Sequence, residues 1–559
     1  MKTKKNNCAA AKTAQTEHLN EINTGTSADT SSVRIVTQTL SAPYQADPLS
    51  LYQKLTVDSN QSLLLESAEI SDKRALKSIL VLDPLLKATC HGNKVVVKAL
   101  QQQSNAALTH LADQLAANPK LHISMDKHTL TISCQTEVEP CDEMSRLLAT
   151  TPLHVLRQIQ QLPHDDHPFS LFLGGCFGFD LITVSEVLPD VAQGENHCPD
   201  FVFMLAGSLL VIDHQQQSCE LIVNSIISAD DKLAERQLKA QLRLAELQFH
   251  CQQHYPSTEL NLDQDVSYSA TVDISDQRFC QHVETLKQHI RAGDIFQVVP
   301  SRCFGLPCAN PLLAYQALKQ TNPSPYMFYL QDRDFSLFGA SPESALKFAS
   351  QSRQVELYPI AGTRPRGFTS SGEYCADLDG RIELELRCDV KENAEHLMLV
   401  DLARNDIARI CEGGSRYVAE LLKVDRYSHV MHLVSRVVGK LQPQLDALHA
   451  YQACMNMGTL SGAPKVMATT LIRQIEGKRR GSYGGAVGYL TGQGDMDTCI
   501  VIRSAFVSDN QAIVQAGAGV VYDSIASAEA DETRQKARAV LHAIAIANAN
   551  QGVRQGGLS

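Results

Sequence analysis

Three glutamates and one lysine set the chemistry open to this chain. In the stretch QAGAGVVYDSIASAEADETRQK (residues 515–536), Glu529, Glu532 and Lys536 fall three and seven residues apart, which puts them on one face of a helix. Glu395 comes from a separate helical segment. Carboxylates gathered in this way suit a hard cation such as Mg²⁺, which takes oxygen ligands and leaves room in its shell for water and substrate. Just before the helix, Gly517-Ala518-Gly519 lets a ligand approach the backbone, because neither glycine has a side chain in the way. Arg503 and Tyr483 can clamp a carboxylate, since a guanidinium matches that planar anion. Glu343, preceded by Ser-Pro, and His432 are general acid–base candidates. Together these residues predict a Mg²⁺ enzyme acting on a small dianion, with no nucleotide. The plainer alternative is a Gly-rich β-hairpin followed by a solvated helix face, and the residues alone leave it open.

Other chemistries lack their motifs. The segment GTRPRG at 362–367 does not have the Walker spacing, and no dinucleotide fingerprint follows a strand. The sixteen cysteines include no C-x-x-C pair, so zinc-ligand spacing is absent. His429 and His432, in H-x-x-H, make no metal motif by themselves.

The elements that must position these groups can be read from pattern. Residues 515–536 form a strand, a turn at Asp523-Ser524 and an Ala-rich helix, with Ser524 and Ser527 as capping residues. A helix over 393–410 places Glu395 in its first turn. Residues 481–490 and 498–507 alternate like adjacent strands and carry Tyr483 and Arg503. Strands at 335–340 and 346–348 flank Glu343. Ser275 caps a helix with the stripe Phe279, Val283, Leu286 and Ile290, ended by Gly293, and a strand over 295–301 carries Gln297. Upstream, strands are expected at 33–40, 62–67, 78–82, 94–98 and 128–133, with helices from Pro48 (capped by Asp47) and over 106–115. Gly174-Gly175-Cys176-Phe177-Gly178 predicts close backbone packing, and 201–213 with 220–227 a hairpin. Residues 231–250 predict an amphipathic helix burying Leu233, Leu238, Leu242 and Leu247. The fold class is α+β.

A chain of 559 residues has room for two or three domains. Residues 1–32 form a polar, disordered extension; they lack the apolar core of a signal peptide. Residues 33–266 form an N-terminal domain with a linker after Tyr255, residues 267–545 a second domain, and 546–559 a tail. The net charge of −11 argues against a nucleic-acid partner. The densest basic cluster, Lys478-Arg479-Arg480, is read as a solvated turn. No run approaches the ~20 apolar residues of a membrane span, and scattered thiols fit the cytoplasm.

The motifs SPES, PIAGTRPRG, ENAEHLMLVDLARND, YSHVMHLVS, GTLSGAPK, GSYGGAVGY, CIVIRSA, QAGAGVVYDS and EADETRQKA occur in the order of the chorismate-utilising enzymes, which this chain resembles over about residues 275–545. The N-terminal half, through LLLES at 63–67, resembles the regulatory domain of anthranilate synthase component I. The resemblance implies that family's α/β sandwich of orthogonal antiparallel sheets flanked by helices. It implies that Glu395 and Glu532, supported by Glu529, bind Mg²⁺ holding the ring carboxylate of chorismate. Tyr483, Arg503 and the backbone of Gly517, Ala518 and Gly519 would hold the enolpyruvyl carboxylate, and Gly362 and Thr363 would line the ring pocket. Glu343 would protonate the departing ring hydroxyl, His432 would serve pyruvate elimination, and Thr459 in GTLSG joins them as a catalytic residue.

Within the resemblance, the water-using isochorismate and salicylate synthases carry a Lys where this chain has Gln297. The aminodeoxychorismate synthases carry PIKGT where this chain has Ala361. Both departures favour anthranilate synthase; the sister enzymes and a non-catalytic amino-acid-binding regulator of the same fold are the alternatives. The chain has no Gly-Cys-x-Gly glutaminase elbow, so ammonia would come from a separate glutamine amidotransferase subunit, in a heterotetramer of two large and two small subunits. L-tryptophan would bind as feedback inhibitor between Ser67 and the segment Pro325, Tyr326, Met327. The absence of any Trp suits a protein made when tryptophan is scarce.

Overall fold

The computed structural model describes residues 33–68, 75–135, 142–229, 231–262, 266–369, 371–426 and 430–556. The expected disordered extension at 1–32 and His429 lie outside these. Twenty-four of the strands assemble into two large antiparallel sheets, of eleven and thirteen strands. Each sheet is built from both halves of the chain. In the first, Ser62–Ala68 pairs with Tyr326–Gln331, with Leu63 opposite Leu330 and Ser67 opposite Tyr326. In the second, Phe172–Phe177 pairs with Ala486–Thr491. The pairing therefore runs across the boundary drawn from the sequence at residue 266.

Alternation along the strands gives each sheet two apolar faces. The inner faces meet in a core that includes Leu63, Val81, Phe328 and Phe506 from one sheet and Phe172, Val202 and Val487 from the other. Here Gly174 earns its place: a Cβ on it would lie 2.5 Å from Leu63 Cδ2. The outer faces are covered by helices. Pro311–Thr321 and the long Ala526–Gly556 pack on the first sheet, and Asn105–Ala116 and Val390–Ala408 on the second. This is an α+β sandwich flanked by helices, as expected. Among the described residues no helix is long and apolar enough to cross a membrane, and the cysteines are free thiols.

Local readings hold where side-chain chemistry fixes them. Asp47 caps Pro48–Leu55, and Ser275 caps Asp276–Ala292, which Gly293 ends in the left-handed conformation. Several others need correction. The expected strand over 201–213 is two strands, Phe201–Leu205 in the second sheet and Ser208–Asp213 in the first; only the latter pairs with Ser218–Ser228. They are separated at Gly207, where a Cβ would lie 2.2 Å from the Asp83 carbonyl. The strand expected over 295–301 is broken before Pro300, which has no N–H to give a ladder, into Gln297–Val298 and Ser301–Pro307. In the helix Leu233–Gln252 the buried set is Ala240, Leu244, Leu247 and Cys251, while Leu233, Leu238 and Leu242 are exposed. Steps of four, three and four stay on one face, whereas the expected steps of five, four and five drift around the helix. The last helix starts at Ala526, so Ser527 is inside it and is no cap. The segment expected as a tail from 546 continues as helix to Gly556.

Candidate active site

Glu343 sits in the two-residue link between strands Ser336–Ser341 and Ser344–Ala349. Its carbonyl accepts the Ile500 N–H at 3.0 Å, and its side chain is 7 % exposed. Thr459 donates its hydroxyl to Glu343 Oε1 at 3.0 Å. Burial pushes the carboxyl up to about 8, against the pull of the Thr459 bond and of the nearby Lys536 and Arg503 charges. At neutral pH it is an acid with a proton to give.

His432 lies on the strand Val430–Lys440 opposite Thr363, beside a bulge at Gly362, whose φ is +73°. The Thr363 hydroxyl and His432 Nδ1 are 2.9 Å apart. Burial, reinforced by the Arg503 and Lys536 charges, drives the imidazole down to about 3. It is neutral at physiological pH.

Tyr483 and Arg503 were expected on neighbouring strands, and the structure corrects both. Tyr483 is in the turn before Ala486–Thr491, and Arg503, at φ +47°, stands between strands Met496–Ile500 and Ser504–Ser508. Those two strands belong to different sheets, so Arg503 marks where the chain crosses from one to the other. Tyr483 points at the end of strand Gln511–Gly517: a Cβ on Gly517 would lie 3.0 Å from its hydroxyl oxygen. Gly519 makes similar room for Gln297, whose Nε2 would be 2.9 Å from a Cβ there. The Gly517-Ala518-Gly519 stretch thus admits two side chains, and Lys536 Nζ bonds the Gly517 carbonyl at 3.1 Å.

Glu395 is in the second turn of Val390–Ala408, since that helix starts three residues earlier than expected. Burial, with repulsion from Glu392, Glu529 and Glu532, raises it to about 7; Lys391, 3.8 Å away, opposes the rise. Glu529 is also raised, by burial and then by Glu532. Glu532 is half exposed and paired with Lys536 at 2.8 Å. Glu395 Oε1 and Glu529 Oε2 are buried with no hydrogen-bond partner, an arrangement that suits a hard cation. The three carboxylates are near enough to repel, but they do not bring one oxygen each within 4.8 Å of one another. Among the described residues that closeness is met by Glu195, Asp273 and Cys303, where the Lys478 ammonium already reaches both carboxylates at 2.5 and 2.7 Å.

The basic cluster read as a solvated turn is the main surprise. Arg480 is 1 % exposed. Its guanidinium bonds Glu476 through Nε and Nη2 at 2.9 and 2.5 Å, the Leu460 carbonyl at 2.8 Å and the Val299 carbonyl at 2.6 Å. It also lies over the rings of Phe179 and Tyr483, 4.7 and 5.5 Å from their centroids. Glu476 in turn accepts the N–H and hydroxyl of Ser301 at 2.8 and 2.9 Å, and Ser301 is the ladder partner of Gly517. One buried ion pair therefore ties together the Thr459 loop, the Gln297 strand, the Tyr483 turn and the glycine stretch. The sequence signal was present: a charged run abutting GSYGG is a poor place for three freely solvated side chains.

The expected effector residues are brought only partly together. Ser67 and Tyr326 are cross-strand partners, and buried Pro325 accepts the Ala68 N–H at 2.8 Å. The Ser67 hydroxyl reaches the Lys77 carbonyl at 3.4 Å. Met327 points to the opposite face, into the helix-covered core, while Tyr326 joins the layer between the sheets.

A family model described as chorismate binding enzyme matches residues 98–542. The chain belongs to the chorismate-binding enzymes. It is accordingly an enzyme of that family, and the match reaches far upstream of the region that carries the sequence motifs. This agrees with sheets in which strands from both halves are paired. The chorismate-binding chain is 54 % identical to anthranilate synthase component 1 of Vibrio cholerae over 508 residues, 90 % of this chain and 95 % of that one. It is 52 % identical to anthranilate synthase component 1 of Escherichia coli K12 over 514 residues, 91 % of this chain and 97 % of the relative. The crystal structure of anthranilate synthase component I from Streptococcus pneumoniae superposes with a TM-score of 0.64 at 30 % identity, covering 83 % of this chain and 92 % of that chain.

Proposed function

We propose that this chain converts chorismate and ammonia to anthranilate and pyruvate, as the large subunit of an anthranilate synthase in tryptophan biosynthesis. The observation that carries the reading is Glu343, a buried acid kept protonated near neutral pH and aligned by Thr459. Such a group suits protonation of a ring hydroxyl that must leave as water. The Arg503 and Lys536 charges, which act on both Glu343 and His432, give a dianionic substrate its counter-charge. A bound substrate carboxylate would offset those charges and raise the His432 pKa, readying the imidazole to accept a proton during elimination. Gln297 stands beside Gly519, where a lysine would be needed to deprotonate water; an amide leaves ammonia as the better nucleophile.

Glu395 and Glu532, supported by Glu529, would hold Mg²⁺; the buried Glu395 Oε1 and Glu529 Oε2, which lack hydrogen-bond partners, suit the ion, and the three carboxylates must draw closer to share it. Bound there, the ion supplies positive charge to a substrate carboxylate. The free thiols suit a reducing cytoplasm. Ammonia comes from a separate glutamine amidotransferase subunit, in a heterotetramer, because this chain has no glutaminase nucleophile motif. Tryptophan inhibits at the Ser67–Tyr326 pair. In the ladder, Tyr326 lies between Ser67 and Ser341, and Glu343 follows two residues later. An effector there is one strand from the catalytic acid, close enough to bias its position.

Purified protein incubated with chorismate, Mg²⁺ and ammonium tests the reading. Anthranilate as the aromatic product is the expected result. Isochorismate or aminodeoxychorismate as the main product would assign the chain to a sister activity, and no turnover would leave a binding protein.

A further inference from the structure

The acid side of the site borders a space that the substrate contacts leave unused. A cavity of about 30 Å³ is lined by Glu343, Thr459, Tyr358, Leu402, Asp406 and Met457, with Ala403 among its other walls. One water needs ~10–15 Å³ measured in this way together with polar partners, so about two fit. A carbocyclic diacid does not, because ligand pockets of that kind run to roughly 300 Å³ or more. The lining includes Glu343 and Thr459 but none of Thr363, His432, Tyr483, Arg503, Gly517 or the three glutamates. The space therefore meets the acid without touching the groups assigned to the substrate. Its lining is not wholly apolar: Asp406 belongs to it and is held by Lys465 at 2.5 Å, both side chains 9 % exposed.

Resting on the function proposed above, amination of the ring breaks its C–O bond. Glu343 gives its proton to the ring oxygen, the C–O bond electrons leave with that oxygen, and one water is formed. Ammonia supplies the electron pair for the new C–N bond and sheds one proton. A water set free beside a buried acid needs a place to go, and Glu343 needs a proton before the next turnover. We propose that this cavity is a water-binding subsite, which receives the leaving water and, through water held between Thr459 and the Asp406–Lys465 pair, brings to Glu343 the proton that ammonia sheds.

The test fills the space from a wall that takes no part in the chemistry. Ala403→Leu should lower kcat by about tenfold or more, the usual worth of proton-transfer assistance, while KM for chorismate and for ammonium stay within about twofold. A high-resolution crystal structure of the unmodified protein should show ordered water in contact with Glu343, Thr459 or Asp406. Where Ala403→Leu does not fold, Leu402→Phe narrows the same space from the adjacent position. An unchanged kcat in a variant whose structure shows the cavity filled overturns the proposal, as does a wild-type cavity without ordered water. A rise confined to the ammonium KM would make the space the nucleophile's entrance, and a rise in the chorismate KM would make it part of the substrate pocket; both overturn it. If the wild type forms no anthranilate, it is the underlying function that fails.

Discussion

Replacing Thr459 by valine removes one hydrogen bond and almost nothing else. The hydroxyl donates to Glu343 Oε1 at 3.0 Å, and the residue that accepts it is buried. That bond favours the ionised form, so it holds the Glu343 pKa below the value burial alone would give. A hydrogen bond to a charged group contributes roughly 1.5–3 kcal/mol, and one pKa unit corresponds to about 1.4 kcal/mol. Losing it should therefore raise the Glu343 pKa by about one to two units. The sign follows directly: the acid is competent while protonated, so activity should fall as pH rises through about 8 in the wild type. In Thr459→Val that alkaline limb should move up, even as the less well oriented acid lowers the plateau. The assay is the pH dependence of kcat/KM from the fluorescence of the aromatic product formed with ammonium. A limb that stays in place or moves to lower pH would refute the assignment of Glu343 as the acid and of Thr459 as the donor that tunes it.

Glu395, raised to about 7, must lose its proton to bind a cation, so the Mg²⁺ concentration giving half-maximal activity should rise about tenfold per pH unit below 7; a pH-independent value would remove Glu395 from the site. Glu532→Gln should abolish activity with unchanged thermal unfolding, and an active variant with normal Mg²⁺ dependence counts against the metal assignment. Arg480→Met leaves Glu476 charged and buried, which should destabilise the protein by about 3–5 kcal/mol in denaturant titrations and raise KM for chorismate through Tyr483. A stability loss without any kinetic change would confine Arg480 to a purely structural part. Ser67→Arg should fill the effector position and give near-normal turnover that tryptophan no longer inhibits; equal inhibition of both proteins would place the effector elsewhere.

What was legible in the sequence had local causes. Caps such as Asp47 and Ser275 and the left-handed Gly293 are fixed by chemistry within a few residues. The candidate acid–base pair and the candidate metal carboxylates were picked out by residue type and by motif order. Less legible was anything set by where the chain changes sheets. Arg503 and Tyr483 looked like strand residues because their neighbours alternate, yet both stand at strand breaks, Arg503 in the left-handed conformation between two strands of different sheets. Periodicity also misplaced the stripe of Leu233–Gln252 except at Leu247, because leucine was given more weight than the smaller Ala240 and Cys251 that are buried with it. Arg480 was missed because, beyond Glu476 four residues away, its partners Leu460 and Val299 come from segments that pattern alone does not join.

The two seams between the halves have a consequence for how the molecule is made. Ser62–Ala68 has to wait for Tyr326–Gln331, and Phe172–Phe177 for Ala486–Thr491. Pairings so distant along the chain form slowly, because a long loop must close before any contact rewards it. During synthesis, the first half therefore emerges with one side of each sheet bare, and bare strand edges invite pairing with other chains. A product released early, near residue 266, would keep both edges open permanently. The second sheet is not whole until residue 500 has left the ribosome, and the first not until residue 517, so the nascent chain depends on shielding from its neighbours for most of its synthesis.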